Sequence, residues 1–538
     1  MAVHATDGTE KRALPTVNQL PSGAASGDVT PIFPSSGDVS MDEADRKLEA
    51  MGYTPVFRRE FSNWSSFSFA MSIGGVYASL MSTWIYGLQA GGAAAIMWSW
   101  IIGGVGAWAL AMSLAELSSA YPSAGAMYSA MRYLAPPDQV PILSWMSGYI
   151  TLAGIIAGSA STEYATSQML LAAVSIATDF SYRPTSGHVV GVMALLTVVH
   201  ASINSLPTRW LNRLTSGYVV FHMSVLIGAC VCLLVQTKEK HSFAYVFTDF
   251  QPSSGWTPPG FAFLFGCLTP AWIMTNADST ARIAEEAKDP ARVVPKAIAN
   301  ATTFTFLTGL VFNLVLVLCM GNPASLLSTP SGQPVSQLFY NAAGPVPALF
   351  FTLAGFAVMN LVAIPGLQSG SRTIYAFARD DLIPLSRVWR RISRRSHTPV
   401  AAVWLYAALE IAVNLLGLTS ETAISAVFNV CTAALNVSYM LPIVCKLLYG
   451  RFERGPWHLG RWSLLANVLA IAWNGFVSVI FFLPTRLPDG YADRVKQMNY
   501  ASVVFVSVVM FAVGFWYTHG RHYYTGPGTR RRDAPVTV

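Results

Sequence analysis

Charged residues are scarce in this chain of 538 residues. Asp, Glu, Lys and Arg together make up only 11%, whereas 53% of the residues are hydrophobic. Soluble globular domains carry about 25% charged residues. This deficit excludes a soluble enzyme, a nucleic-acid-binding protein and a disordered scaffold. It predicts an all-α polytopic membrane protein, with the lipid bilayer as its solvent.

Cysteine is also rare, and its placement excludes a disulfide framework. The six cysteines all lie within apolar stretches, where a thiol acts as a small core side chain. Residues 1–60 are polar and contain no charged segment followed by an apolar one, so we expect no cleavable signal peptide. We predict that this segment is a disordered, cytosolic tail.

Several catalytic and conducting motifs are missing. The sequence has no Gly-Lys dipeptide, and therefore no phosphate-binding loop of an ATP-driven pump. It also lacks the His-Glu-x-x-His metal motif and the Thr-Val-Gly-Tyr-Gly filter of potassium channels. We therefore predict a protein that is not an enzyme and needs neither a cofactor nor a metal.

Long apolar runs are what the sequence has instead. A helix needs about 20 apolar residues to cross the hydrocarbon core. Twelve runs meet this requirement, near 62–86, 90–115, 142–171, 187–206, 214–236, 259–281, 297–320, 346–371, 399–418, 422–446, 463–484 and 499–518. We predict twelve transmembrane helices within a domain at 61–518, followed by a cytosolic tail at 519–538.

The distribution of basic residues predicts the orientation. If the N-terminus is cytosolic, only six of the 34 Lys and Arg residues fall in outside loops, namely Arg183, Lys238, Lys240, Arg486, Arg494 and Lys496. Cytoplasmic loops of membrane proteins are enriched in Lys and Arg. Both termini are therefore predicted to be cytosolic.

Two predicted spans carry helix-breaking residues at mid-membrane. Span one contains Gly74-Gly75 and span six contains Pro270. The breaks lie five spans apart, as expected for inverted repeats at 62–236 and 259–446, with extra helices at 463–518. Half-helix ends at such breaks attract anions. The pattern indicates either a substrate site at the repeat interface or a pair of plain kinks.

Four stretches in order resemble the fungal amino acid/choline permeases, similar to 4-aminobutyrate permeases, of the amino acid–polyamine–organocation superfamily. They are 60–70 leading into the glycine pair, Glu116-Leu117 with 121–128, the acidic segment 284–295, and Ser371-Arg372 with 376–380. The resemblance covers roughly residues 42–518. It implies the LeuT-type fold, a 5+5 inverted repeat in which helices one and six are broken.

The resemblance also implies a substrate site at the two breaks. In span one, the residues expected to meet a substrate carboxylate are Ser72, Gly74, Gly75 and Val76. In span six, those expected to meet the amine or to cap the side chain are Thr269, Pro270, Ala271 and Trp272, with Thr275 and Asn276 just below.

Ionisable residues inside the spans are candidates for ion coupling, because such residues are costly in lipid. His222 lies in span five, where some relatives place a lysine or bind a cation. It is either a proton carrier or a buried histidine that satisfies a backbone group. Glu163 in span three is the second candidate, whereas we expect loop contact for Asp278 and packing for Glu410.

Charged residues near the predicted cytoplasmic ends are candidates for a gate. They are Glu116, Glu285, Glu286 and Arg372. Ordinary loop salt bridges explain the same residues equally well.

Together these features predict a secondary active transporter in the plasma membrane, a symporter that imports an amino acid or a related small amine by alternating access. 4-Aminobutyrate is one such substrate, and protons are the predicted coupling ion. The alternatives are a choline or polyamine permease and, more remotely, a nutrient sensor built on a transporter scaffold.

Overall fold

The structure is a computed structural model that describes residues 43–419, 421–487 and 499–529. All of these belong to one compact unit that begins at Glu43. The predicted tail at 1–42 and the last residues of the predicted C-terminal tail, 530–538, lie outside the described residues. Within the described ranges every regular element is a helix, apart from one isolated β-bridge between Phe61 and Ala287.

The long helices follow the predicted spans closely. They are α2 (Asn63–Gly74), α3 (Val76–Ala120), α5 (Val140–Ala177), α6 (Ser186–Asn204), α8 (Tyr218–Gln236), α13 (Pro290–Cys319), α16 (Pro345–Arg379), α18 (Val400–Asn414), α19 (Glu421–Tyr449), α20 (Ser463–Phe481) and α21 (Ala501–Phe515). Span six is divided into α10 (Pro259–Gly266), α11 (Leu268–Ile273) and α12 (Ser279–Arg282).

Shorter helices connect these elements or cap their ends. They are α1 (Glu43–Ala50), α4 (Ala126–Leu134), α7 (Thr208–Ser216), α9 (Phe243–Thr248), α14 (Pro323–Leu327), α15 (Pro334–Ala343), α17 (Ser386–Trp389) and α22 (Arg521–Tyr523).

The prediction of an all-α polytopic membrane protein is confirmed. In the described part of the chain, ten helical segments are long and apolar enough to cross a membrane. The first, Asn63–Ala120, has 58 residues and loses helical geometry at Gly91 and Gly92, so it is long enough for two crossings. A shorter apolar helix covers Pro259–Ile273. The count of twelve spans and the LeuT-type repeat remain predictions.

Helix α5 packs extensively against α16 and α19. Small residues on α5 allow this close approach. A Cβ at Gly154 would lie 2.7 Å from Leu435 Cγ, and a Cβ at Gly158 would lie 2.9 Å from Cys431 Sγ, both on α19. Small residues at helix interfaces let membrane helices approach closely. This packing positions α5 as one wall of the site described below.

Residues 43–60, which the sequence predicts to be part of a disordered tail, are ordered. Helix α1 and the segment after it bury Leu48, Met51 and Tyr53. An ion pair of 2.6 Å between Arg59 and Asp45 closes this segment on itself. Residues 1–60 are polar on average, so their composition does not reveal this short apolar stretch. Its buried side chains are enough to pack it against the rest of the protein. The predicted disordered tail is therefore too long at its C-terminal end.

Candidate functional site

The break in the first span lies at Gly75, between α2 and α3. Gly75 has a left-handed backbone with φ of 47°, a conformation that only glycine adopts readily. A Cβ at this position would lie 2.3 Å from Val362 Cγ2 on α16. Backbone conformation and close packing therefore both require glycine here.

Side chains satisfy the backbone groups that this break releases. The Tyr77 N–H donates to His222 Nε2 at 3.2 Å, and the Ser79 hydroxyl donates to the Gly74 carbonyl at 2.9 Å. His222 is fully buried, and its Nδ1 has no hydrogen-bond partner. An imidazole nitrogen that accepts a hydrogen bond must be unprotonated. In this conformation His222 therefore serves the broken helix as a neutral acceptor.

The sixth span is interrupted twice, at Cys267 between α10 and α11 and again between α11 and α12. The chain leaves the helix after Ile273 and resumes it at Ser279, and Asn276 between them has φ of 59°. Pro270 lies within α11, in the first turn, where proline is tolerated because the N–H it lacks has no helical partner there. The short polar side chain of Asn suits the left-handed position. The interruption at Cys267 lies three residues before Pro270, within the stretch that the sequence predicts, and the one at residues 274–278 is additional.

The two breaks lie next to each other. A Cβ at Gly74 would lie 3.8 Å from the Ile273 carbonyl oxygen. Ile73, just before the first break, and Asn276, within the second, line the same cavity. The sequence-predicted association of the two broken regions is therefore present in the tertiary structure.

Two small enclosed cavities flank this junction. The Asn276 cavity, of about 40 Å³, is lined by Ile73, Ile155, Gly158, Ser159, Thr162, Asn276, Ser279, Arg282, Val362, Ala363, Gly366, Ser369 and Tyr406. The Trp272 cavity, also of about 40 Å³, is lined by Ser82, Thr83, Tyr86, Ser161, Ala165, Gln168, Leu268, Trp272, Phe428, Asn429 and Phe481. Because one water molecule needs about 10–15 Å³ of such space, each cavity has room for only a few water molecules in this conformation.

A wider vestibule of about 690 Å³ opens to solvent beyond the Trp272 cavity. It is lined by residues of α5, the 183–189 segment and the 328–333 loop. Gln168 on α5 borders both the vestibule and the Trp272 cavity. One helix thus lines an open approach and both enclosed cavities in turn.

Trp272 and Asn276 are the predicted site residues that line these cavities. Thr275 is buried beside Asn276, and Thr275 Oγ1 and Asn276 Oδ1 are both buried without a hydrogen-bond partner. Buried polar atoms are normally paired. Their unused capacity at a helix break is therefore available to a ligand.

The other predicted site residues lie around the junction but do not line either of these two cavities. The Ser72 hydroxyl donates to the Phe69 carbonyl of its own helix at 2.7 Å, and the Thr269 hydroxyl donates to the Thr83 carbonyl at 3.1 Å. Pro270 packs against α3, where a Cβ at Gly103 would lie 2.5 Å from its ring. Gly74, Gly75, Val76 and Ala271 supply backbone or packing at the same level.

Neither cavity contains an unpaired charge among its lining residues. The Trp272 cavity is lined by neutral side chains only. In the Asn276 cavity the one charged group is Arg282, whose guanidinium donates to both oxygens of Asp278 at 2.9 Å. The Tyr439 hydroxyl also donates to Asp278, at 2.6 Å. Asp278 is therefore committed to a buried ion pair with Arg282, the first residue after predicted span six.

Glu163 is buried on α5 and pairs with a residue that the sequence analysis overlooked. Its Oε1 lies 2.6 Å from His200 Nδ1, and His200 Nε2 lies 2.9 Å from Asn360 Oδ1. Glu410 is fully buried nearby, and neither of its carboxyl oxygens has a hydrogen-bond partner. His200 lies inside predicted span four, so counting histidine with the intramembrane acids would have identified it.

The predicted gate residues form buried ion pairs, but not all with one another. Arg372 Nε donates to Glu286 Oε1 at 2.5 Å, and each side chain is only 1% exposed. Glu285 instead binds Arg379 through two hydrogen bonds of 3.0 Å. Of the two neighbouring glutamates, Arg372 therefore pairs with Glu286 and not with Glu285.

Glu116 pairs with none of the other predicted gate residues. It accepts hydrogen bonds from Lys446 Nζ at 2.5 Å and from the Ser463 hydroxyl at 2.6 Å. This pair joins α3 to α19, whereas the Arg372 and Arg379 pairs join α16 to the 284–286 turn. All three pairs lie at the same end of the helices as residues 43–61 and 520–529, which we call the terminal face.

Comparison with known proteins places these observations in context. Residues 61–511 match the sequence profile of the family described as amino acid permease. The chain is 68% identical to Amino-acid permease 2 of Neurospora crassa over 506 residues, which cover 94% of this chain and 92% of that protein. It is 46% identical to an uncharacterized amino-acid permease of Schizosaccharomyces pombe, over 91% of this chain and 90% of that one. Amino-acid permease BAT1 of Arabidopsis thaliana is 27% identical over 90% of this chain and 96% of its own length.

Proposed function

Because this chain belongs to the amino acid permease family and is an integral, multi-pass membrane protein that transports amino acids, we propose that it is a secondary active importer of a neutral, zwitterionic amino acid. 4-Aminobutyrate is one candidate. The proposed mechanism is proton-coupled alternating access across the plasma membrane, with both termini in the cytosol.

One observation carries this proposal. Two broken helices meet between two enclosed cavities that contain no unpaired charge. The N-terminus of the 45-residue helix α3 begins at Val76, directly after the break at Gly75. Helix N-termini favour an anionic group by roughly 0.3–2 kcal/mol. A substrate carboxylate is therefore expected near Gly74–Val76, and the amine near Thr275 and Asn276.

The lack of a free acid favours a zwitterion over a substrate with net positive charge. A buried cation needs a counter-charge in low dielectric. A zwitterion carries both charges, so it adds no net charge to a cavity whose lining is neutral. We propose that Trp272 closes over the substrate from the vestibule side, since it lines the cavity that Gln168 connects to the vestibule.

The terminal face is closed in this conformation, and we propose that it is the cytosolic gate. Its buried pairs, Arg372–Glu286, Arg379–Glu285 and Lys446–Glu116, must separate for the substrate to leave. Breaking a buried ion pair without replacement costs about 3–5 kcal/mol. Opening must therefore supply water or new partners to Glu116, Glu285, Glu286 and Arg372.

Choline or polyamine transport is the second candidate function. Tyr86, Trp272 and Phe428 line the Trp272 cavity, and aromatic faces attract quaternary ammonium groups. A nutrient sensor on the same scaffold would bind a substrate without accumulating it.

An uptake assay in cells that express this chain tests the proposal. Zwitterionic amino acids, including 4-aminobutyrate, should compete better than choline or putrescine. Removing the carboxylate from the best substrate should weaken uptake more than adding one methylene. Uptake should rise as external pH falls, should not require sodium, and should collapse with a protonophore. Strong inhibition by choline with inert zwitterions would contradict the proposal, and binding without accumulation would indicate a sensor.

A further inference from the structure

We propose that Glu163, Glu410 and His200 form one buried proton-binding site, and that the driving proton is carried there. This inference rests on the proposed proton-coupled import and extends it, because it assigns Glu163 two partners that the sequence analysis did not connect to coupling. The site joins α5, α6 and α18, and it lies apart from the junction of the broken helices.

Three ionisable side chains of this region are buried out of contact with solvent. Glu163, His200 and Glu410 are each at most 1% exposed. The 2.6 Å contact joins Glu163 Oε1 to His200 Nδ1. Glu410 is close enough to Glu163 for the two carboxyl groups to interact electrostatically. Glu163 Oε2 and both oxygens of Glu410 have no hydrogen-bond partner.

Hydrogen-bond accounting places a proton between Glu163 and His200. The Asn360 amide nitrogen donates to the Phe356 carbonyl at 2.7 Å, which leaves Asn360 Oδ1 to accept from His200 Nε2. His200 Nε2 therefore carries hydrogen. The contact between His200 Nδ1 and Glu163 also requires one hydrogen, held either as imidazolium and carboxylate or as imidazole and carboxylic acid.

Glu410 requires a second proton. The Ser159 hydroxyl is the one polar group named beside Glu410, and it makes no hydrogen bond of ordinary geometry to it. A fully buried carboxylate in such a setting is strongly unfavourable when ionised, and two neighbouring carboxylates do not both ionise readily. In the described part of the chain, no three His, Cys, Asp or Glu side chains are grouped as metal ligands. The ligand that suits this arrangement is a proton, and Glu410 is the group that gains and loses it.

Among the described residues, the charged groups that act on this part of α18 are Glu163 of α5 and Arg282 of α12. On α18, Tyr406 lies one turn from Glu410, and Cys431 on α19 faces Tyr406. Arg282 of α12 acts electrostatically on Tyr406, but Asp278 neutralises it. The protonation of Glu410 therefore changes the net charge of this region by a full unit.

A short route connects Glu410 to the Asn276 cavity. The Tyr406 hydroxyl donates to the Ile155 carbonyl at 2.7 Å, so the Ser159 hydroxyl donates to Tyr406 across 2.8 Å. Ser159 lies beside Glu410, and its lone pairs remain available to accept from a protonated carboxyl group. Ser159 and Tyr406 both line the Asn276 cavity. A proton can leave Glu410 through Ser159 to water in that cavity when the break at Asn276 moves.

Purified full-length protein in proteoliposomes tests this assignment. Two assays are compared, counterflow exchange of substrate and accumulation driven by a pH gradient. One pH unit corresponds to about 1.4 kcal/mol, so a one-proton symporter accumulates substrate up to about tenfold per unit. We expect Glu410→Gln and Glu163→Gln to lower this ratio to about one while counterflow persists at a reduced rate. Glu239→Gln, at an exposed acid, is the matched control and should retain both activities.

The outcomes separate the two proposals. Wild-type counterflow without gradient-driven accumulation would refute proton coupling, and this site with it. Wild-type accumulation that both glutamine variants retain would overturn the site alone. If the variants do not fold, infrared spectra of the wild-type protein decide: the C=O stretch of a buried, protonated carboxyl group should be present and should titrate when substrate opens the site. Its absence would also overturn the assignment.

Discussion

The guanidinium of Arg379 lies 3.8 Å from the centroid of the Tyr53 ring. The same guanidinium binds Glu285, so the segment after α1 covers one of the buried pairs of the terminal face. Four residues later, the Phe57 ring lies 5.7 Å from the guanidinium of Arg372, which binds Glu286. Opening of this face therefore requires residues 53–57 to separate from both arginines.

Docking of the two terminal segments should depend on pH through Asp380. Its carboxyl group accepts hydrogen bonds from the Tyr53 hydroxyl and the Gly528 N–H, each at 3.1 Å. Burial raises the pKa of Asp380 from 3.8 to about 6. The docked state therefore favours the protonated form: docking is strongest below about 4 and weakens as the pH rises through about 6.

Hydrogen exchange at residues 43–60 and 524–529 measures this dependence. After correction for the intrinsic exchange rate, protection should fall across that pH window. Asp380→Asn should flatten the dependence. The neighbouring Asp381→Asn, at a side chain that is 39% exposed, should leave it intact. Equal profiles for the wild type and Asp380→Asn would refute the role of Asp380.

Substitution of Gly75 should abolish uptake while the protein still reaches its membrane. A side chain at φ of 47° costs about 1–2 kcal/mol, and its Cβ would also overlap Val362. Gly75→Val should be worse than Gly75→Ala, and Val362→Ala should restore only the part of the loss that is due to overlap. Gly475→Ala on α20, where a Cβ meets nothing within 4 Å, is the control. Normal uptake by Gly75→Val would mean that the glycine only packs helices.

Removal of the Trp272 ring should raise the KM or change selectivity without a large loss of expression. The ring lines the cavity next to the vestibule, so its loss leaves the substrate open to solvent. A change of about 1.4 kcal/mol would raise the KM about tenfold. Trp108→Ala is the control. Trp108 is 39% exposed and its indole N–H donates a hydrogen bond to the Thr303 hydroxyl, so its loss should leave the KM unchanged. If Trp108→Ala raised the KM and Trp272→Ala did not, the substrate would bind away from the Trp272 cavity.

Two substitutions at Asn276 separate its backbone role from its side-chain role. Asn276→Gly retains access to φ of 59° and deletes the unpartnered amide oxygen. Asn276→Ala deletes the side chain and strains the backbone by about 1–2 kcal/mol. If the amide binds substrate, both variants should raise the KM, and the alanine variant should also be less stable to heat. Wild-type kinetics for Asn276→Gly would show that only the backbone is needed.

His222→Gln should keep the pH profile of uptake, because glutamine can also accept the Tyr77 N–H. His222→Ala should leave that donor buried and unpaired, at a cost of about 1–3 kcal/mol in thermal stability. Uptake measured against external pH in both variants tests this assignment. A flattened profile in the stable His222→Gln variant would make His222 the proton carrier and remove that role from Glu410.

The sequence by itself determined the class of protein. A hydrocarbon core accepts only apolar helices or closed barrels, so charge scarcity and the length of each apolar run are enough to predict the helices. The first break could also be predicted from the local sequence, because Gly75 is the residue that tolerates a left-handed backbone. These features depend on the composition of one segment, independent of what packs against it.

The tertiary structure decided which side chains meet. Glu163 and His200 lie on different helices, 37 residues apart, and Glu285 binds Arg379 although Arg372 was equally available in the sequence. Such pairs depend on the rotation and axial register of neighbouring helices, which no single segment encodes. The second interruption of span six, at Asn276, escaped prediction for a related reason. No proline or glycine stands beside Asn276 to mark its left-handed backbone, and α11, which precedes it, packs against α3, a helix distant in the sequence.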